Sequence, residues 1–333
     1  MNKFDERYDI RLARYDEIDE IMSFIDTHWR KGHILAVNRP FFEYEMTEGE
    51  DVHFVIAKDR ETGEIHGIHG YLKASGETEP DMWGCIWKVI PGSMGMLGLE
   101  IVKRLEGLAK CRSFLTMGAN PETLPLLKIA RRFEDVGKMS HFYCLSDRRE
   151  YHIARVGHYE PFHGIDTGYT VRRIDTIEEL KKDYEFHNEF NVYPYKDAWY
   201  YDHRFFSNPI YEYQIYGIYG DDLKAFFVCR EQEYDGEKAL RIVDYNGDPK
   251  AFEGISSFLK EKRNEYEYID LYCYGFDTEG VLKAGMIELK EDDTNIIPNY
   301  FAPYAAANID IWVGTPKGRA LFFKADGDQD RPS

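Results

Sequence analysis

Residues 89–98 read "VIPGSMGMLG", with Gly92, Gly95 and Gly98 spaced three apart between an apolar run and an amphipathic stretch. Glycines let backbone N–H groups approach an anion, and a helix N-terminus adds a favourable dipole. The string lacks the Gly-Lys-Ser/Thr ending of a nucleotide P-loop and the spacing of a dinucleotide fingerprint. Two readings stay open on these residues, a tight turn packed against its neighbours and an anion cradle. Asp244 lies in the apolar run "ALRIVDYNGD", where a carboxylate usually has a task or a partner. His66 and His69 stand three apart in "IHGIHGYLKAS", so on a strand they point to opposite faces. The tail "ADGDQDRPS" alternates Asp326, Asp328 and Asp330 but lacks the bidentate glutamate of a calcium loop. It reads as an exposed, solvated tail, with binding of a sugar hydroxyl or an amine as the alternative.

The elements that must position these residues come from a chain of 333 residues, long enough for two domains. With 43% hydrophobic residues it can bury sizeable cores, which also absorb most of its 25 Tyr and 21 Phe. A formal net charge of −18 opposes nucleic-acid binding, which needs a basic face. Five cysteines are scattered without a CxxC pair, which suits free thiols in a reducing compartment and no metal site. The opening "MNKFDERYDI" is polar and no run reaches the length of a membrane span, so a cytoplasmic protein without a membrane span is expected.

"YDIRLA" reads as a strand, "YDEIDEIMSFIDTHWR" and "NRPFFEYEM" as helices, and "VHFVIAKD" with "IHGIHGYLKAS" as a hairpin. "MWGCIWKVI" is a third strand, followed by the glycine turn and a helix at about 97–110. "RSFLTMGAN" and "KMSHFYCLS" are strands around a helix in "PETLPLLKIARRFED". The polar stretch 147–168 lacks periodicity, and the order then restarts. "YDIRLARYDEIDEIMSFID" and "YTVRRIDTIEELKKDYEFH" open two halves whose elements recur with a period of roughly 160 residues, as in a duplicated domain. Within the second half, "TEGVLKAGMIEL" reads as a helix. Domains are expected over 1–150 and 169–333, joined by a linker over 151–168.

On the opening strand and helix, the hairpin around "RETG", the strand–glycine turn–helix at 82–110 and "SFLTMGAN", the chain resembles the GNAT superfamily of acyl-CoA N-acyltransferases, present twice in tandem. "PGSMGMLG" keeps the family's glycines but lacks its leading Gln/Arg and exact spacing. "HWRKGHILAVNRPFFEYEM" and "FFKADGDQDRPS" resemble acyltransferase-like proteins of bacterial surface-polysaccharide and flagellar-glycan gene clusters. The resemblance implies an α/β (α+β) fold of two GNAT-like domains, each a mixed, mostly antiparallel sheet flanked by helices. It implies acetyl-CoA or another acyl-CoA as co-substrate, its pyrophosphate on the turn of Gly92, Ser93, Met94, Gly95, Met96, Leu97 and Gly98. Val89 or Ile90 would lie near the strand N–H that stabilises an oxyanion. Asn120 would touch the pantetheine arm, or it caps the helix begun at Pro121.

Candidate bases for the acceptor amine are His66, His69, His33 and Glu43, with Asp244 from the second half. The tyrosine that the family often uses to protonate the thiolate is missing. Leu127 and Lys128 stand at that spacing from Asn120, leaving Tyr143 or water as substitutes. Asp244 and Asp248 flank the equivalent turn of the second half, which is expected not to bind CoA. The resulting expectation is an acyl-CoA-dependent N-acyltransferase acting on a small amine, with a nucleotide-linked amino sugar as the acceptor that the narrower resemblance implies. The alternatives are a FemABX-like aminoacyl transferase, whose tRNA-borne donor the acidic charge disfavours, and a non-catalytic binding protein on the same fold.

Overall fold

Two mixed sheets carry the chain in the computed structural model, which describes residues 2–330 apart from 190 and 317. The first runs Tyr8–Leu12, Phe54–Asp59, Ile65–Lys73, Asp81–Val89, Ser113–Met117, Trp312–Thr315, Asp135–Lys138. The second runs Thr170–Ile174, Gln214–Tyr219, Leu223–Tyr234, Glu237–Gly247, Tyr268–Tyr274, Ser140–Leu145, Ile287–Glu288. Neighbours are antiparallel except for one parallel pair in each sheet, Asp81–Val89 with Ser113–Met117 and Glu237–Gly247 with Tyr268–Tyr274. Each half is thus the mixed, mostly antiparallel sheet that the sequence leads one to expect.

The sheets exchange strands. Trp312–Thr315, from the second half, pairs with Ser113–Met117 and Asp135–Lys138 in the first sheet. Ser140–Leu145, from the first half, pairs with Tyr268–Tyr274 and Ile287–Glu288 in the second. A cut near residue 150 therefore leaves each sheet holding a strand of the other piece. One apolar core also spans both halves, joining Ile56, Leu72 and Trp83 to Tyr201, Phe205 and Phe226. On the far face of the first sheet the helix Leu97–Ala109 buries Leu97, Ile101, Val102 and Leu105, a stripe at helical spacing.

Both parallel pairs part early. In the first, partners run only from Asp81↔Ser113 to Trp83↔Leu115, although the strands continue to Val89 and Met117. In the second they run from Ala239↔Tyr268 to Ile242↔Leu271. Each strand leading into its turn carries a β-bulge against its antiparallel neighbour. The register skips Ile86 in the first half and Val243 in the second.

Two expectations need correction. The tail is not solvated: Phe322, Phe323, Lys324, Ala325 and Asp326 are buried, as is Asp330. Phe322 and Phe323 pair with Tyr274 and Cys273, and the Ala325 N–H donates to the Val243 carbonyl, so an apolar strand draws the aspartates inward. The stretch "TEGVLKAGMIEL" is helical only over Glu279–Lys283, because Gly285 (φ +98°) breaks it and Ile287–Glu288 joins a sheet edge. Among the described residues no helix is long and apolar enough to cross a membrane.

The exchange predicts that 1–150 and 151–333 produced separately are insoluble or unfolded. Co-expression should give a soluble, co-purifying complex. Two independently soluble, monomeric pieces would contradict the shared sheets.

Candidate functional site

Between the parted strands of the first half lies the glycine turn. Gly92 adopts φ +84°, and a Cβ added at Gly92 or Gly95 would meet nothing within 4 Å. Met96, at the helix N-cap, has φ +71° and is 65% exposed. The turn is braced from beneath, where the Met94 N–H donates to the Tyr8 hydroxyl at 3.1 Å and that hydroxyl hydrogen-bonds His66 Nδ1 at 3.4 Å. Ser93 and Leu97 spend their N–H groups on Ile90 and Met94 carbonyls. The N–H groups of Gly95, Met96 and Gly98 have no acceptor among the described residues. They stand at the N-terminus of a 13-residue helix, where the dipole favours a negative charge. An open, bare turn with unspent amides fits an anionic group such as a pyrophosphate.

Ile86, the residue the ladder skips, adopts φ +42°, a conformation that a β-branched side chain rarely enters. Strain of this kind, of order 1–3 kcal/mol, persists where surrounding structure over-determines it, and it clusters at functional sites. Ile86 and Cys85 line a cavity of about 460 Å³, with Trp29, Arg30 and His33 on one side. Its other wall comes from the second half, through Tyr300, Asp328 and Gln329. Trp29 and Tyr300 are 45% and 43% exposed, two open aromatic faces over one hollow. The tail crosses the base of the parted strands: a Cβ on Gly327 would lie 3.6 Å from Trp83 Cβ, and Gln329 packs on Gly118 (φ +71°).

His69 points away from this cavity. It is buried between Trp87 and Phe114, and its ring hydrogen-bonds the carbonyls of Gly70 and Cys85. Burial pushes its pKa down to about 3, so at neutral pH it is an uncharged brace for the bulge. His66 lies under the glycine turn, as described. Glu43 pairs with Arg39 on its own helix at 2.7 Å, and that hydrogen bond holds its pKa down. Tyr143 is buried on the exchanged strand in the second sheet, its hydroxyl accepting from Asn295 Nδ2 at 2.9 Å. Leu127 is buried beside Val102 and Phe133. Asn120 accepts the Glu122 N–H at 2.9 Å, and the helix begins later, at Leu124. The Ile90 N–H is spent on the His66 carbonyl at 3.0 Å, and Val89 pairs with Gly67, which leaves the bulge as the irregular point of the strand. Of the candidate bases, His33 alone lines the cavity. Its Nδ1 accepts the Leu35 N–H at 3.2 Å, which caps a helix.

Asp244 belongs to a different cleft. Lys196 donates to both of its oxygens at 2.9 Å and to Asp326 at 2.6 Å, and the Tyr245 N–H donates to it at 2.7 Å. Burial raises the pKa of Asp244 and of Asp326, and Lys196 opposes the rise. Lys196 forms part of a cavity of about 480 Å³, lined also by Tyr245, Asn246, Asp248 and Phe323. The parting of the second parallel pair is filled by Phe322, Phe323 and Ala325 through backbone hydrogen bonds.

Sequence reasoning missed Ile86, Trp29, Arg30, Tyr300 and Gln329, and weighed Asp328 only as one of three tail aspartates whose alternative reading was binding of a sugar hydroxyl or an amine. The aromatic–basic string "HWRKGH" was a signal for the first wall. Tyr300 sits in an aperiodic stretch that offered none. Among the described residues no group of three or more His, Cys, Asp or Glu is placed to hold a metal ion.

No protein-family model matches the chain, and no curated protein matches it. It superposes on a GCN5-related N-acetyltransferase from Anabaena variabilis with a TM-score of 0.57 at 11% identity, over 92% of this chain and 72% of that one. A conserved protein of unknown function from Enterococcus faecalis, described as a probable N-acyltransferase, gives 0.58 at 12% identity, over 85% and 70%. At such identities the likeness is one of fold: the chain has a GNAT-type fold.

Burial holds His53, His69 and His141 below the ordinary histidine range, and each contributes to the acid response. Burial lowers His69 to about 3 and His53 to about 4, while an unfolded histidine titrates near 6.5. Between those values each histidine binds more protons in the unfolded chain, so its contribution to stability is full above about pH 6.5 and falls as pH drops, by ~1.4 kcal/mol per pH unit for each histidine. Buried Asp244, raised to about 7, and Asp326, also raised, take up protons in the folded state over the same window and oppose this slope, so the test is a difference: in denaturant melts from pH 7 to 4.5, His53→Gln should change the slope by about one proton. An unchanged slope would place His53's titration in the ordinary range.

Proposed function

We propose that the protein is an acyl-CoA-dependent N-acyltransferase. On this reading the first half holds the donor and the cavity beside Ile86 takes a small amine, an amino sugar of bacterial surface-glycan biosynthesis, in the cytoplasm. The observation that carries the reading is the strained bulge at Ile86, poised between an open glycine turn and a cavity with a carboxylate. Acyl-CoA, when bound, supplies an activated thioester carbonyl.

The chain's own residues then divide the work. Gly95, Met96 and Gly98 N–H groups hold the diphosphate, the Gly92 corner leaves room for it, and Asn120 stands beyond the neighbouring strand toward the pantetheine arm. The bulged strand at Ile86 offers its N–H to an oxygen that gains negative charge. Asp328 takes the proton of the acceptor amine, directly or through water, with His33 on the opposite wall. Trp29 and Tyr300 offer aromatic faces that suit the apolar side of a pyranose, and Gln329 offers an amide to its hydroxyls. Water in the cavity protonates the leaving thiolate, since the buried Leu127 holds the position of the missing tyrosine. The second half takes no CoA, because the tail strand occupies its cleft and Asp248 flanks its turn.

Acetyl-CoA or free CoA should raise the melting temperature by several degrees at about a hundredfold excess over Kd. Gly95→Asp should erase that shift while leaving the unliganded melt near wild type, because its Cβ meets open space. No shift with acetyl-CoA, CoA or longer acyl-CoAs would sink the donor assignment. With an amino-sugar panel as acceptors, Asp328→Asn should lower kcat about 10²-fold or more. Trp29→Ala should chiefly raise KM. If Asp328→Asn keeps full kcat, the base lies elsewhere.

A further inference from the structure

Behind Trp83, on the seam between the halves, lies a void of about 20 Å³. It is lined by His53 and Trp83 of the first half, Arg204 of the second, and Gly327 of the tail. A volume of roughly 10–15 Å³ on this measure admits one water, so this void accommodates a single small species and no organic ligand. Three of the lining side chains carry buried polar atoms with no partner. Among the described residues Trp83 Nε1, His53 Nδ1 and both Nε and Nη1 of Arg204 have no hydrogen-bond partner. Each of these residues is more than nine-tenths buried, so leaving the atoms bare would cost about 1–3 kcal/mol apiece.

Arg204 also holds the tail. Its Nη2 donates to the carbonyls of Ala325 at 3.2 Å and Gly327 at 3.5 Å, immediately before Asp328 and Gln329 enter the cavity beside Ile86. We propose that one bound water fills this void, accepting from Trp83 Nε1–H and Arg204 and donating to His53 Nδ1, and so fixes the guanidinium that clamps the tail. Water is favoured over a halide on charge. The charges lining the void are balanced: Arg204 has the Glu45 carboxylate as a neighbour, Lys73 is paired with Glu48, and burial keeps His53 neutral at pH 7. The site therefore asks for a neutral molecule that both accepts and donates. Arg204 is in this sense a positioning residue, acting on the cavity through the tail.

A crystal structure at better than about 2 Å, from crystals soaked in bromide, tests this. The expected result is one spherical peak about 3 Å from Trp83 Nε1 and Arg204, with no anomalous signal. An empty void, or a bromide peak, overturns the proposal. In solution, Trp83→Phe removes one donor while leaving Arg204 in place. Amide exchange at 325–330 should then quicken at least tenfold, while Tyr268–Tyr274 stays protected. Exchange that is unchanged at the tail, or raised equally everywhere, would show that the water does not hold it. If that variant fails to fold, the wild-type density still decides.

Discussion

Two parallel strands that part company leave a row of backbone N–H and C=O groups without partners, and buried groups of that kind must be satisfied. This chain meets the demand twice and answers it in two ways. In the second half a piece of the chain moves in: Phe322 and Phe323 pair with Tyr274 and Cys273, and Ala325 reaches Val243. In the first half no strand enters among the described residues, and the parting opens toward a bare turn and a cavity. The same backbone geometry yields a closed structural seam in one sheet and an open cleft in the other.

The tail can close the second seam because its charges are provided for. Asp326 and Asp244 flank a single lysine, Lys196, and the surplus negative charge is moderated by the N–H groups of Phe323 and Tyr245. Asp330 accepts from Tyr213 at 2.8 Å and pairs with Arg230. Buried ions without such partners would cost several kcal/mol each, more than the burial of two phenylalanines returns at about 1.5–3 kcal/mol apiece. The pairing is therefore a condition for the tail's path, and the tail's path delivers Asp328 and Gln329 to the first cleft. The strand exchange works to the same end, since a core common to both halves keeps that delivery in register.

Much of the scaffold was legible because it is written in local terms. Period-2 runs, the "RETG" turn and the stripe Leu97, Ile101 and Leu105 are each decided by near neighbours, and the duplicated order follows from them. The strand exchange was not legible: "KMSHFYCLS" and "IDIWVGT" read as strands whichever sheet they join, and only the three-dimensional register says which. The glycine turn was readable as an open corner, although the Met94 amide proves to be spent on Tyr8. His69 misled because a histidine beside a cleft-forming strand looks the same whether it faces the cleft or braces the bulge from behind. The tail misled most, since composition alone cannot show that Lys196, Arg230 and Tyr213 await its aspartates.

The two bulges sharpen the contrast between the copies. Both interrupt the strand at the matching place, but only Ile86 is driven to positive φ; Val243 is not among the residues so strained. Relaxing Ile86 would require shifting the register against Ile65–Lys73, and His69, locked between Trp87 and Phe114 and bonded to the Cys85 carbonyl, holds that register. Strain maintained by a buried brace at the lip of an open cleft, and absent where the cleft is filled, marks the first half as the one where backbone geometry matters beyond folding. On that argument the two partings serve different tasks. The first sheet keeps the strained, open parting, and the second uses its own parting to anchor the segment that brings Asp328 to the first.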